Sequence, residues 1–258
     1  MSEAFNAPMI LNQVIPYDPL RPKAMPGISP LDQGDWLRVD ETYAAQLAEK
    51  ARIVEKDRDL VLALSENARP AAEELLETVV TALIAKEGFT LQGNALLCPD
   101  ERLVELDRSD PMLTLSRLTQ EDFCILQKRG LEHVLTGASL CFPASWLLAE
   151  KFMRPLINIH EPVASYDENI ARRVQRLFDG VRVEQPLWRF NALWYADPAL
   201  HQPRSAHERR DERFAETAKF MRSELQTIRR LPLTGAVIFG IHTYVLAECT
   251  LNRQSACP

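Results

Sequence analysis

The spacing of apolar residues changes along this chain, and each change predicts a different kind of secondary structure. Apolar residues recur at helical spacing between residues 40 and 88, which predicts two helices, Asp40–Leu64 and Pro70–Lys86. From Phe89 onward, short apolar runs separated by turn residues predict strands of an antiparallel sheet over residues 89–98, 103–106, 123–127 and 133–142.

The second half of the chain repeats this alternation. Residues 145–180 return to helical spacing, most clearly over Tyr166–Gly180. Three further strands are predicted over residues 187–195, 220–231 and 236–246, and turn residues between the last two predict a hairpin. Strands on both sides of a helical insertion favour an α+β fold, in which one antiparallel sheet carries helices on one face and a pocket forms between them.

The first 35 residues include six prolines, which remove backbone donors and block helix formation. The same residues are too apolar to be simply solvated, so we expect an extended arm that lies across the folded body. The sequence thus divides into an arm over residues 1–35, helices over residues 36–88 and a sheet domain over residues 89–258.

Charge and composition exclude several classes of protein. The chain has 36 acidic and 30 basic residues, a balance that argues against a nucleic-acid partner and gives no reason to seek anionic membranes. No apolar run approaches the length of a membrane span, about 18 residues. The five cysteines are scattered and never form a CxxC pair, which favours free thiols in a reducing, cytoplasmic compartment.

The common phosphate-cradle, serine-hydrolase and zinc-protease motifs do not occur in the sequence. Among the histidines, His160 lies in an apolar run that ends at Pro162, where a neutral imidazole at a pocket wall could ligate a metal or haem iron. The residue alone leaves a second interpretation open, a hydrogen-bonded histidine in the core.

The strand predicted over residues 187–195 separates two kinds of side chain. Alternation places Trp188, Phe190 and Trp194 on one face, and Arg189 and Asn191 on the other. The guanidinium and the amide are suitable donors to bound oxygen or to a carboxylate. The alternative is that the aromatic rings are ordinary core and the polar pair anchors a loop.

Strand parity also places His242 and Tyr244 on one face of the last predicted strand. This second polar arrangement could line a pocket, although the pattern alone is a weak signal.

Read together, these segments resemble the haem-dependent oxidative N-demethylase-like family. The resemblance covers about residues 19–246 and rests on four ordered motifs, which are Cys141–Trp146 with Lys151, Ile159–Val163 with Tyr166, Trp188–Trp194, and Leu225–Pro232 followed by Thr243-Tyr244. It implies a PAS-like fold with one haem b. It also implies oxidation of a small methylamine by O2, with electrons from a partner reductase that carries flavin and an iron–sulfur cluster.

The resemblance also implies roles for individual residues. His160 is expected to be the axial iron ligand, and Tyr166, Trp188 and Trp194 are expected to contact the cofactor. The candidates for the polar catalytic side are Arg189, Asn191, Glu224 and His242.

Three positions depart from the family pattern. The residue at position 242 is usually Arg or Lys in the family and is His242 here, and Leu225 and Ala192 replace motif residues. Because these changes fall on the expected catalytic side, a non-catalytic haem-based gas or redox sensor, or another PAS-like ligand-binding module, is the alternative function.

Overall fold

The computed structural model describes residues 8–21, 27–144, 146–156, 159, 168–205 and 218–254. Seven strands form one sheet in the order β1-β8-β9-β10-β6-β7-β2, and all of its pairs are antiparallel. Its strands are β1 (Ser29–Pro30), β2 (Leu62–Leu64), β6 (Asp122–Arg129), β7 (Glu132–Ser139), β8 (Leu187–Tyr195), β9 (Phe220–Arg230) and β10 (Val237–Ala247). The predicted mixed α+β class is confirmed.

The best-predicted part of the sheet is β8 to β10. The predicted bounds of β8 agree with the structure, and those of β9 and β10 differ by one residue. The predicted hairpin between β9 and β10 is present. Glu74 stabilises its turn by accepting hydrogen bonds from the backbone N–H groups of Leu233, at 2.6 Å, and Thr234, at 2.7 Å.

Helices cover both faces of the sheet, whereas the sequence led us to expect them on one face. Helices α1 (Tyr43–Val61), α2 (Arg69–Ile84) and α3 (Pro111–Leu118) contribute to a core that includes Phe123 and Ile125 of β6. Cys124 and Leu126 alternate with those two residues and belong to a second core, together with residues of α4 (Leu148–Lys151) and α5 (Glu168–Gly180). The helical insertion and the N-terminal helices therefore pack against opposite faces.

Helix α2 has the periodicity expected of a core-facing helix. Pro70 lies at its start, where the missing N–H costs nothing. Its predicted apolar stripe is buried as a whole and consists of Leu75, Leu76, Val79, Val80 and Leu83.

Three local features differ from the expectation or were not predicted. The first predicted helix ends at Val61, because Leu62–Leu64 pairs with β7 as a strand. Helix α3 was not predicted. Strands β3 (Thr90–Gln92), β4 (Ala95–Leu97) and β5 (Leu103–Glu105) form a separate three-stranded sheet, not part of the main one.

Within the described residues, the N-terminal arm packs on the body as expected. Ile10, Asn12 and Ile15 are buried. Asn12 pairs with the last strand, since its N–H donates to the Val245 carbonyl at 2.7 Å and its Oδ1 accepts from the Val245 N–H at 3.0 Å. A short helix, α6 (Glu248–Gln254), follows that strand. The division into three domains stays a prediction.

No described helix combines the length and the apolar character that crossing a membrane requires.

Candidate functional site

Four polar residues of β8 and β9 share one face of the sheet. Arg189 opposes Gln226 and Asn191 opposes Glu224 across the β8–β9 pair. Directly opposed residues of antiparallel strands project to the same side. We call Arg189, Asn191, Glu224 and Gln226 the polar wall. Its position on the face opposite Trp188 and Phe190 agrees with the alternation predicted from the sequence.

The carboxylate of Glu224 is fixed at the centre of the polar wall. Its Oε2 accepts hydrogen bonds from Asn191 Nδ2 and Gln226 Nε2, both at 3.1 Å. Its Oε1 lies 3.6 Å from Nε of Arg222. The Arg222 guanidinium is buried and also donates to two backbone carbonyls, those of Leu200 and Phe142. The orientation of the carboxylate is therefore set by neighbours on its own sheet.

Two cations near Glu224 have no comparable partners. The Nε of Arg189 is buried and has no hydrogen-bond partner among the described residues. Burial lowers the pKa of Arg189, while the charge of Glu224 acts in the opposite direction. The ammonium of Lys151 lies 4.5 Å from the centre of the Trp146 ring. Burial lowers the pKa of Lys151 too, again against the charge of neighbouring groups that include Glu224.

An apolar surface adjoins the polar wall on the same face of the sheet. It belongs to the second core and includes residues from five elements and from the segment after α4, namely Cys124, Leu126, Leu148, Leu156, Ile159, Phe178, Ile228 and Phe239. Ile228 lies two residues along β9 from Gln226, so the apolar and polar surfaces meet directly.

The opposite face of β8 is aromatic and is covered by the arm. Tyr17 stacks on Phe190 with ring centres 4.4 Å apart and lies 5.8 Å from the Trp188 ring. The Tyr17 hydroxyl is 2.9 Å from Ser223 Oγ. Trp188 and Trp194 therefore pack in a core on the side away from the polar wall.

His242 lies on that same opposite face and is completely buried. Its Nδ1 is 3.0 Å from Glu121 Oε1, and its Nε2 is 3.0 Å from Asp40 Oδ2. Because both partners are carboxylates, both ring nitrogens donate and the ring is an imidazolium. Burial lowers the pKa of His242, but the hydrogen bonds and charges of Asp40 and Glu121 outweigh burial and raise it to about 9.

Further donors complete the network around His242. Asp40 also accepts hydrogen bonds from the side chains of Asn12, Thr42 and Gln120. Although burial raises the pKa of Asp40, the bonds to His242 and to these donors hold it well below its usual range. Glu121 Oε1 accepts the backbone N–H of Arg38 at 2.7 Å. The network joins the arm, the start of α1 and β10.

Two arginines of the motif after Glu224 have structural roles that the sequence did not reveal. The Arg229 guanidinium lies 4.5 Å from the centre of the Trp36 ring. Arg230 donates to the carbonyls of Phe178 and Val181, at 2.8 and 2.7 Å, and so holds the C-terminal end of α5. The sequence of this motif does not distinguish an arginine with a structural role from one that binds a ligand.

The remaining histidines have mixed positions. His133 is buried and lies 2.8 Å from Gln175 Nε2, so it is a hydrogen-bonded core residue. His201 Nδ1 lies 2.7 Å from the Cys141 carbonyl. His160, Tyr166 and His207 lie outside the described residues. Among the residues that are described, no three His, Cys, Asp or Glu side chains form a group that could hold a metal ion.

These features define a class of protein, in which an α+β fold presents the polar wall beside an apolar surface on one face of its main sheet. The chain belongs to the haem-dependent oxidative N-demethylase, alpha subunit-like family, whose model matches residues 27–257. The family named from the sequence motifs is therefore confirmed. Its name indicates dependence on haem and an oxidative N-demethylation, and it refers to one subunit of an enzyme.

Proposed function

We propose that this protein uses haem b to remove a methyl group oxidatively from a small secondary or tertiary methylamine. The observation that carries the proposal is the buried Nε of Arg189, which has no hydrogen-bond partner among the described residues, beside an apolar surface in a chain of a haem-dependent family. In the same proposal, the protein acts in the cytoplasm and adopts a PAS-like arrangement of its sheet.

The described residues fit a haem group. Haem has a flat apolar body and carries two carboxylates at one edge. The second core offers apolar side chains, and the adjoining polar wall offers a buried guanidinium nitrogen for which the described part of the chain supplies no hydrogen-bond acceptor. A cation buried without a partner is unfavourable, so this arrangement favours a ligand with both properties.

Haem iron, when bound, supplies the activation of O2. The overall reaction balances as methylamine plus O2, two electrons and two protons, giving the demethylated amine, formaldehyde and water. We assign the two electrons to a partner reductase that carries flavin and an iron–sulfur cluster.

Residue roles follow from the two faces of β8. His160 is the proposed iron ligand, and Tyr166 is a proposed cofactor contact. Ile159, next to His160, packs with the apolar surface on the polar-wall side. Asn191 and Glu224 present an amide and a carboxylate on that side, where they would orient a small amine.

Trp188, Trp194 and His242 occupy the opposite face. Because a ligand bound flat against the polar-wall side cannot reach through the sheet, we assign these three residues to support of the strands and not to contact with the cofactor.

The absorption spectrum of the full chain with added haem tests the proposal. We expect one haem per chain, a spectral shift when dimethylamine or trimethylamine is added, and loss of the ligand-field features in His160→Ala. His201→Ala is the matched control, because His201 bonds the backbone carbonyl of Cys141 and has no proposed contact with the iron. A chain that takes up no haem contradicts the proposal. Haem binding with no response to amines favours the sensor.

A further inference from the structure

The polar-wall side of the sheet has more positive than negative charge. Glu224 is the central acid of this group, with Arg222, Arg189 and Lys151 as neighbouring cations, and Glu150 is a second acid that acts on Lys151. Arg222 already has partners, because it pairs with Glu224 and donates hydrogen bonds to two backbone carbonyls. Arg189 and Lys151 then remain as two cations that form no salt bridge with any described residue.

Glu224 cannot satisfy these two cations in its present orientation. Its Oε2 already accepts two amide hydrogens, and its Oε1 faces Arg222. Within the described chain, Arg189 makes no hydrogen bond from Nε, and Lys151 meets the face of Trp146. Partly buried cations are stable where an anion offsets the loss of hydration. The missing partner is thus an anion that the described residues do not provide.

The positions of the two cations beside the apolar surface indicate the class of this anion. Arg189 lies on β8 and Lys151 on α4, so the cations come from different elements. Leu148 of α4 and Leu187 of β8 both contribute to the second core, so each cation adjoins an apolar surface. A ligand with an apolar body and two carboxylates would complement this arrangement better than a small inorganic anion.

We infer that Arg189 and Lys151 bind the two propionate carboxylates of haem and anchor its orientation between β8 and α4. This inference rests on the proposed function. It assigns Arg189 to the carboxylate edge of the cofactor, in place of the role beside bound oxygen that the sequence suggested. Asn191 and Glu224 then remain for the amine.

Titration of the full-length apoprotein with haem, and separately with haem dimethyl ester, tests the inference. The ester keeps the apolar body and removes both negative charges. Charged hydrogen bonds are strong, so we expect the unchanged protein to bind haem at least about tenfold more tightly than the ester. We expect Arg189→Gln and Lys151→Gln each to weaken haem binding about tenfold and to change ester binding by less than about twofold.

Lys219→Gln is the matched control, because it removes one positive charge at an exposed position just before β9. Absorbance at the main haem band and quenching of tryptophan fluorescence report binding without any measurement of turnover. Since the ester changes the ligand and not the protein, its comparison with haem stands even if a variant folds poorly.

The outcomes separate the two ideas. Equal affinity of the unchanged protein for haem and ester, or variants that bind haem as the control does, would overturn the inference and leave the proposed function intact. Failure to bind either compound would overturn the proposed function and the inference with it.

Discussion

The two faces of β8 to β10 use charge in opposite ways. On the arm side, the His242 imidazolium lies between two carboxylates, and each of these has further donors. On the polar-wall side, Arg189 has a buried nitrogen for which no described residue is an acceptor, and Lys151 meets an aromatic ring but forms no salt bridge with a described residue. A buried charge that the chain neutralises itself holds the fold together, whereas a buried charge without an ion pair is available to a ligand.

The largest effect is expected from a mutation that removes the His242 imidazolium. His242→Ala leaves Asp40 and Glu121 buried without their cation, and breaking a buried ion pair by removing one partner costs about 3–5 kcal/mol. We expect a loss of that order in the free energy of unfolding, measured with urea.

His133→Ala is the control for the loss of a buried ring, because His133 bonds the neutral amide of Gln175. An equal or smaller loss of stability in His242→Ala than in this control would show that the charge network contributes little.

A second test is the dependence of stability on pH. The pKa of His242 in the folded state, about 9, exceeds the unfolded value, so its stabilisation is complete below about pH 6.5 and is lost as pH rises through 9. Asp40, Glu121 and Tyr244 are the titratable groups that face the ring. We expect the free energy of unfolding, measured with urea, to fall by on the order of 3 kcal/mol between pH 6.5 and 10.

His242→Gln keeps a polar side chain of similar size but does not titrate in this range. Its stability should vary less over the same interval, and a parallel decline in both proteins would assign the pH dependence to other groups.

The smallest expected effect is on the other face. Arg189→Gln removes a partly buried cation whose Nε has no acceptor among the described residues, so the free energy of unfolding of the apoprotein should change by no more than about 0.5 kcal/mol. Urea unfolding without haem measures this directly. A loss of several kcal/mol would mean that Arg189 supports the fold, and the contrast between the faces would disappear.

Sequence patterns predicted the sheet better than the site. Strand β8 was predicted because large aromatic residues alternate with polar ones, a local signal. Leu62–Leu64 was predicted as helix because a short apolar run has neither helical nor strand periodicity. Its strand structure depends on pairing with β7, some 75 residues later in the chain. Helix α3 begins at Pro111 and is short, so its apolar pattern covers little more than two turns.

The site was predicted in part for the same reason. Alternation along one strand placed Arg189 and Asn191 together, and the structure agrees. Nothing local links His242 to Asp40, which lies 202 positions away, or to Glu121 at a separation of 121. Both acids resemble ordinary surface carboxylates in the sequence. The roles predicted for His160 and Tyr166 stay predictions.

The pairing of Asn12 with Val245 has a consequence for biosynthesis. These residues are 233 positions apart, so the arm can dock only after nearly the whole chain has left the ribosome. Until then, the side chains of Ile10 and Ile15, which are buried in the folded protein, lack part of the surface against which they pack. Contacts of such long range form slowly, which makes docking of the arm a candidate for the last event of folding, and a nascent chain stalled before β10 should remain open to protease within its first 20 residues.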